Sequence, residues 1–171
     1  NDRTIIGNAQ PDFIFGLTNS ISYKGFDLSF LIQGTVGNDL LNINRQNLEM
    51  FTGQQNASSD ALMRWTPSNP SQLYPRAKLD PAPVFSNQFV ESGSFVRLKS
   101  LHFGYNFPKE WLEGASIKSL NLYLTAQNLL TWTKYKGFDP EVTSGSNVQI
   151  GTDSGIYPAA RSISAGISLT F

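Results

Sequence analysis

Cysteine is absent from this chain of 171 residues, and histidine occurs once, at His102. The absence of cysteine excludes disulfides and thiolate metal sites. One imidazole cannot build a multi-histidine zinc site, and a Ser-His-Asp triad would depend on that single residue. No paired carboxylates or activated nucleophile stand out elsewhere in the sequence. We therefore expect no enzyme, no resident metal and no cofactor.

Charge is also scarce. Charged residues make up 15% of the chain, compared with about 25% in soluble globular domains. Lys plus Arg equals Asp plus Glu at 13 each, so nothing indicates attraction to nucleic acid or anionic lipid. No apolar run reaches the roughly 18 residues of a transmembrane helix. The first residues lack a signal peptide, so we expect a cytosolic protein or an internal or C-terminal piece of a longer precursor.

Two-residue alternation of apolar with small polar side chains is abundant, and this is the pattern of a β-strand whose faces meet different environments. It predicts five strands, over residues 11–23, 26–34, 94–107, 119–133 and 162–171. Lys24 and Gly25 supply a two-residue turn between the first two strands. The third strand keeps a single apolar face only if a bulge falls near Lys99 and Ser100.

The alternation disappears in two long stretches, which we predict to be loops over residues 35–93 and 134–161. The first loop is rich in Asn, Gln, Ser and Pro, and it contains a predicted short helix near residues 58–65, capped by Ser59 or Asp60. The remaining connections are short. Short turns at one end of a sheet and long loops at the other are typical of transmembrane barrels.

The second face of the predicted strands is mostly Ser, Thr, Gly, Asn and Gln rather than the charged residues of a solvated sheet. Strands without charge aggregate unless their edges are closed, as a barrel closes them. The pattern favours an all-β, antiparallel transmembrane β-barrel. Aromatic residues near the strand ends are predicted to lie at the membrane interface. They are Tyr23, Phe26, Phe107, Trp111, Tyr135 and Phe171.

Several segments resemble the C-terminal end of the SusC/RagA family of TonB-dependent outer-membrane transporters. They include "RWTPSNP", "PRA", "FVESGSFVRLKSLHFGYNFPKEWL", "LNLYLTAQNLLTWTKYKGFDPEV" and "GIYPAARSISAGISLTF". The resemblance covers essentially the whole chain, in the same order. It implies that residues 1–171 are the last five strands of a 22-stranded barrel with a plugged lumen, with loops 35–93 and 134–161 extracellular.

The resemblance also implies a function and partners. The whole protein would import oligosaccharides or peptides across the cell outer membrane. It would work with a SusD-like surface lipoprotein, and with the TonB complex through upstream regions that this chain lacks. From the residues alone, the alternative is a soluble β-sandwich module that binds carbohydrate through loop aromatics.

Aromatic side chains are the best candidates for substrate contacts, because their faces stack on sugar rings or on peptide side chains. We predict this role for Trp65, Tyr74, Phe85 and Trp132. Arg64 and Arg76 are expected to pin loops by hydrogen bonds to backbone carbonyls. His102 is expected to face the lumen. The carboxylates of Asp139, Glu141 and Asp153 match no EF-hand spacing and are expected to be solvated in their loop.

Overall fold

The computed structural model describes residues 4–50, 56–78, 86–114, 116–142 and 149–171. The chain divides into two compact units. The sheet unit comprises Asp12–Val36, Ser94–Thr133 and Pro158–Phe171. The loop unit comprises Asn1–Pro11, Gly37–Gly93 and Lys134–Tyr157. None of the helices within the described residues is long and apolar enough to cross a membrane.

The described residues form mostly antiparallel β-structure with one α-helix. The strands are β1 Phe13–Tyr23, β2 Phe26–Val36, β3 Asp39–Asn42, β4 Val90–Ser92, β5 Phe95–Asn106, β6 Ser119–Thr133, β7 Thr152–Asp153 and β8 Ser162–Thr170. The helix α1 spans Ile43–Glu49, and short 3-10 helices span Ser59–Met63, Asn87–Phe89 and Lys109–Trp111. The sheet unit holds one five-stranded antiparallel sheet in the order β1-β2-β5-β6-β8.

The turn between β1 and β2 consists of Lys24 and Gly25, with φ values of 48° and 89°. Positive φ at both central residues is the geometry of the hairpin turn that best matches strand twist. A Cβ on Gly25 would lie 2.6 Å from the carbonyl oxygen of Asn106. The turn therefore requires glycine at this position.

A β-bulge at Lys99 confirms the irregularity that the sequence predicted. Opposite β2, Leu31 pairs with Ser100 and Ile32 pairs with Leu98, so Lys99 is the extra residue on β5. The pairing of β5 with β6 shifts at the same place. Because one extra residue reverses the parity of the strand, the bulge brings Val96 and Leu98 onto the face of Leu101 and Phe103.

Strand register gives the sheet one apolar face, and its paired rows contain no charged residue. Cross-strand partners share a face, and the rows of this face follow from the pairing. They are Tyr23-Phe26-Tyr105-Leu122-Ile167, Ile21-Leu28-Phe103-Leu124-Ala165, Asn19-Phe30-Leu101-Ala126-Ile163, Leu17-Ile32-Leu98-Leu130 and Phe15-Gly34-Val96-Trp132. The apolar side chains are largely uncovered: Leu17 is 53% exposed and Ile167 is 66% exposed.

The loop unit contains structure that alternation did not predict. Strand β3 pairs antiparallel with β4 and parallel with β7. The α1 helix begins immediately after β3, where the Asn42 side chain accepts a hydrogen bond of 2.8 Å from the Arg45 N–H. Residues 35–93, predicted to be one long loop, thus contain β3 and β4, which hydrogen-bond to each other.

The predicted short helix near residues 58–65 is present as a 3-10 helix, but its cap lies one residue earlier than expected. The Ser58 hydroxyl accepts a hydrogen bond of 3.1 Å from the Asp60 N–H. Ser58 is extended, as an N-cap residue should be, whereas Ser59 and Asp60 already belong to the helix.

Candidate functional site

Four of the predicted interface aromatics lie at the turn end of the sheet. Tyr23 pairs with Phe26 across the turn. The Phe26 and Tyr105 ring centroids are 4.4 Å apart, and Tyr105 and Phe107 follow at 4.9 Å. Trp111 lies 6.1 Å from Phe107 and is 69% exposed. The structure thus brings Tyr23, Phe26, Phe107 and Trp111 into one aromatic band.

Trp132 and Phe171 lie elsewhere in the sheet unit. Trp132 pairs with Val96 on the apolar face and is 55% exposed. Its predicted contact with substrate stays a prediction. Phe171 follows β8 and is exposed.

Tyr135 requires a correction. It was predicted to lie at the membrane interface, but it is only 6% exposed and is packed inside the loop unit. Its hydroxyl donates a hydrogen bond of 2.5 Å to Asp153 Oδ2. Burial, the bond to Asp153 and the charge of that carboxylate raise the pKa of Tyr135 far above its ordinary value. The phenol donates to Asp153, and its ring has almost no surface to offer to lipid.

The opposite face of the sheet is polar and internally hydrogen-bonded. Asp27 accepts hydrogen bonds from the Ser22 hydroxyl and the Asn106 amide, each at 2.5 Å. Asn121 donates to Asn106 at 2.8 Å. His102 lies on this face, between Ser29 and Thr125, and its ring stacks on Tyr123 with centroids 6.0 Å apart. This polar face satisfies part of its hydrogen-bonding capacity within the sheet.

Arg97 is the charged residue buried in this polar face. It is only 2% exposed, and its Nε donates a hydrogen bond of 3.0 Å to Thr131 Oγ1. The guanidinium also lies over the Phe95 ring, 5.4 Å from the centroid. The bulge at Lys99 sets the parity that keeps this charge away from the apolar face.

Trp65 and Tyr74 line one cleft in the loop unit, which we call the ring cleft. Its volume is about 410 Å³. The Trp65 N–H donates to the Tyr74 carbonyl at 3.3 Å, which closes the intervening segment into a loop. The structure therefore brings together two of the predicted substrate contacts. Phe85, predicted to join them, lies outside the described residues.

The two arginines near this cleft behave differently. Arg64 Nη1 donates to the Ala61 carbonyl at 3.1 Å, as expected for a residue that pins a loop. Arg76 instead holds its guanidinium over the Trp65 ring, 5.9 Å from the centroid. The sequence identified both residues, but only the fold shows that Arg76 belongs to the ring cleft.

A second cleft of about 360 Å³ shares Tyr74 and is lined by charged side chains, and we call it the charged cleft. Arg45 joins Glu49 at 2.6 Å and Glu91 at 2.9 Å. Burial lowers the pKa of Arg45, but the bonds to Glu49 and Glu91 outweigh burial and raise it overall. The amide N–H of Lys136 donates to Glu91 at 2.8 Å. This network joins three stretches of the loop unit that are distant in sequence, at Arg45 and Glu49, at Glu91 and at Lys136.

The carboxylates of the second loop do not form a metal centre. Asp153 accepts from the Gly155 N–H at 2.8 Å as well as from Tyr135, and Asp139 accepts from the Glu141 N–H at 2.9 Å. Across the described ranges, no group of three or more His, Cys, Asp or Glu residues could hold a metal ion. Asp153 is buried rather than solvated, which corrects the expectation for that residue.

Comparison with known proteins relates the whole chain to one kind of receptor. No model of a protein family matches it. TonB-dependent receptor P3 of Formosa agariphila is 39% identical over 99% of the chain, and TonB-dependent receptor P26 of that organism is 35% identical over 100%. TonB-dependent receptor SusC of Bacteroides thetaiotaomicron is 29% identical over 99%. The chain spans 16–18% of the length of these receptors.

Solved structures agree with the sequence relatives. A structure of the RagAB peptide importer in the "closed-closed" state matches 98% of the chain with a TM-score of 0.79 and 34% identity. The "open-open" state matches 95% with a TM-score of 0.74 and 32% identity. In each case the chain covers less than a fifth of the solved chain, 18% and 17% respectively.

The relatives confirm two expectations from the sequence. The resemblance to the SusC/RagA family is borne out along the whole chain. TonB-dependent receptors are proteins of the outer membrane, so the expected location is confirmed as well. A soluble carbohydrate-binding module has no support from these relatives. The chain therefore matches, over its whole length, a portion of the TonB-dependent receptors of the SusC/RagA type, which are proteins of the outer membrane.

Proposed function

We propose that the sheet unit forms part of the wall of a transmembrane barrel, with its apolar face toward lipid and its polar face toward the lumen. The observation that carries this proposal is the register, which aligns apolar side chains across five strands without one charge. Asp27, Arg97 and His102 all fall on the opposite face. In a barrel, lipid-facing and lumen-facing residues alternate in this manner.

The dimensions of the sheet fit a bilayer. Strand β1 has 11 residues, which extend about 33 Å at roughly 3.3 Å per residue. At a tilt of about 40°, this length crosses about 25 Å, the height of the apolar band of outer-membrane barrels. The aromatic band at the turn end would then lie at one membrane boundary, and Trp132 would lie near the other.

The whole protein that contains this chain would be a 22-stranded importer, of which this chain supplies the last five strands. The short connections would face the periplasm, and residues 35–93 and 134–161 would be extracellular. The import of oligosaccharides or peptides and the partnership with a SusD-like lipoprotein and TonB follow from the family. The description of RagAB as a peptide importer supports this role. Trp65 and Tyr74 would contribute substrate contacts from the ring cleft.

The orientation of the sheet can be tested with two neighbouring positions in the full-length receptor. Leu124 lies on the apolar face and Thr125 on the polar face. A lysine at the bilayer midplane of a lipid-facing position costs about 2–4 kcal/mol. We expect Leu124→Lys to lower the amount of heat-modifiable receptor in the outer-membrane fraction severalfold, and Thr125→Lys to leave it near the wild-type amount. Equal loss in both variants would contradict the assignment of the faces.

Import can be tested separately in cells that lack the receptor gene. Complementation with the wild-type gene should restore uptake of the oligosaccharide or peptide that wild-type cells import. The restored uptake should require an intact TonB and the partner lipoprotein. Uptake that persists without TonB would contradict the proposed activity while leaving the assignment of the faces unaffected.

A further inference from the structure

The alternation of side chains allows β6 and β8 to pair in more than one register. A slip of β8 by two residues keeps every side chain on its face, because side chains alternate with a period of two. On the apolar face such a slip only exchanges one aliphatic pair for another. The β6 residues there are Leu120, Leu122, Leu124 and Ala126, and their partners are Leu169, Ile167, Ala165 and Ile163. A tight turn does not set the register either, since residues 134–161 lie between the two strands.

The polar face of this pair has one position where the partners differ sharply in size. Among the β6 residues that pair with β8, Tyr123 is the aromatic one, and its partner Gly166 is the glycine of β8. A Cβ at Gly166 would overlap Cζ and the hydroxyl oxygen of Tyr123 and would lie 2.8 Å from Cε2. Gly166 is half-buried, whereas the other residues of β8 are exposed. The Tyr123 ring therefore lies across the backbone of Gly166.

Strand β5 supports this orientation of the ring from the other side. Tyr123 pairs there with Gly104, and the His102 ring stacks on Tyr123 with centroids 6.0 Å apart and an angle of 26° between the planes. A Cβ at Gly104 would lie 3.2 Å from His102 Nε2. The two rings are thus nearly parallel, and Tyr123 is directed toward Gly166.

We propose that Tyr123 and Gly166 form a register lock, which selects the observed pairing of β8 with β6 against slips of two residues. A slip in either direction places Ser164 or Ser168 opposite Tyr123, and the serine Cβ would occupy the space of the ring. The ring would then leave the sheet and lose its contact with the β8 backbone. Cross-strand contacts between an aromatic ring and a glycine pin register in this manner.

The pair formed by Phe15 and Gly34 shows the same arrangement where a turn already fixes the register. A Cβ at Gly34 would lie 2.5 Å from Phe15 Cζ, and these partners join β1 to β2. The register of that hairpin follows from its two-residue turn. At β6 and β8 the ring and the glycine supply selectivity that a turn supplies at β1 and β2. A slip by two residues would displace β8, together with its free edge, by about 6.6 Å.

Engineered cysteine pairs in the full-length receptor, freed of other cysteines and exported to the oxidising periplasm, can report the register. Thr125→Cys with Ser164→Cys reports the observed register, in which the two residues are partners. Asn121→Cys with Thr170→Cys reports a slip by two. In the observed register these residues are diagonal neighbours, too far apart for an unstrained disulfide. Mass spectrometry after alkylation of free thiols gives the bridged fraction of each pair, and hence a ratio of observed to slipped register.

We expect Gly166→Ser and Tyr123→Ser each to lower this ratio, by up to about fivefold, the effect of one cross-strand pair. Adding Ser168→Gly to Gly166→Ser should lower the ratio further, because the glycine then lies opposite Tyr123 only in the slipped register. Gly16→Ser is the matched control and should leave the ratio unchanged, since a Cβ at Gly16 meets nothing within 4 Å among the described residues.

Two results would overturn the register lock. One is an unchanged ratio in Tyr123→Ser, a variant that only removes atoms and so remains informative if serine at position 166 blocks assembly. The other is a ratio in Gly166→Ser with Ser168→Gly that is no lower than in Gly166→Ser alone. The ratio is measured without substrate, so a failure of the import function would leave the lock standing, and a failure of the lock would leave import standing.

Discussion

Trp132 and Tyr135 are close neighbours in sequence, but their side chains end in different environments. Trp132 belongs to the apolar face of the sheet unit, whereas Tyr135 is buried in the loop unit beside Asp153. The change falls at Lys134, where the chain passes from one unit to the other. At the level of single residues, an aromatic ring near a strand end is thus not sufficient evidence for a membrane interface. For Tyr135, the hydrogen bond from its hydroxyl to the buried Asp153 accounts for its place inside the loop unit.

Tyr135→Phe tests whether its hydroxyl stabilises the loop unit. Removal of the hydroxyl leaves a buried oxygen of Asp153 without its donor, which costs about 1–3 kcal/mol. We expect amide exchange in residues 134–142 and 149–157 of the full-length receptor to accelerate about 5- to 150-fold, as measured by hydrogen–deuterium exchange. Tyr157→Phe is the control, because Tyr157 is 89% exposed. Equal acceleration in both variants would contradict a specific role for the Tyr135 bond.

Arg45 is the second residue on which the loop unit depends. Its guanidinium joins Glu49 Oε1 and Glu91 Oε1, and these side chains are 5% and 9% exposed. Glu49 Oε2 is buried and has no hydrogen-bond partner within the described residues. Arg45→Met leaves two buried carboxylates uncompensated, at a cost of about 3–5 kcal/mol. We expect faster exchange across α1 and β4, and partial recovery when Glu49→Gln is added. The control Arg64→Met should leave exchange unchanged, and failure of the recovery would argue against charge as the cause.

At the level of elements, the bulge at Lys99 sets which face of β5 meets which environment. Deletion of Lys99 leaves Leu98 opposite Ile32 and both faces unchanged, so we expect the full-length receptor to accumulate in the outer membrane. Exchange of the two neighbouring residues, as Arg97→Leu with Leu98→Arg, keeps the length of the strand and places an arginine on the apolar face. That charge costs about 2–4 kcal/mol in lipid, so the folded receptor should decline severalfold. Fractionation followed by a heat-modifiability gel measures both variants, and a deletion as harmful as the exchange would contradict the parity argument.

The elements divide into those that sequence patterns could predict and those that they could not. Alternation predicted strands over 26–34 and 119–133, and the structure has β2 at Phe26–Val36 and β6 at Ser119–Thr133. In these strands each face meets a uniform environment, so the pattern repeats. Strands β3 and β7 have 4 and 2 residues, too few for a period to show, and they pair with partners far away in sequence.

The candidate site could also be predicted only in part, because local patterns identify residue types but not contacts between residues distant in sequence. Residue type identified Trp65, Tyr74 and Arg76, because large rings and cations in a proline-rich loop are conspicuous. Which of them share a cleft depends on the backbone bond between Trp65 and Tyr74, which no local pattern encodes. Likewise, the Tyr135–Asp153 bond joins residues on either side of a long stretch of loop, and the sequence around Tyr135 looks like a continuation of β6.

At the scale of the whole molecule, the sheet unit has two features that favour association in water. Its apolar face is uncovered, and each bulky side chain there would gain about 1.5–3 kcal/mol on removal from water. Among the described strands, β1 and β8 each pair with one neighbour, and unpaired edges promote association between chains. We therefore expect this 171-residue chain, produced by itself, to sediment as large oligomers in water and as smaller species in detergent. Analytical ultracentrifugation measures both states.

A triple variant with Leu17→Lys, Leu122→Lys and Ile167→Lys should shift the distribution in water toward smaller species, because it places charge across the apolar face. Three lysines at Thr18, Thr125 and Ser164, on the polar face, form the matched control with the same net charge. If the control disperses the oligomers as well as the apolar-face variant does, net charge rather than the apolar face would be the cause of association.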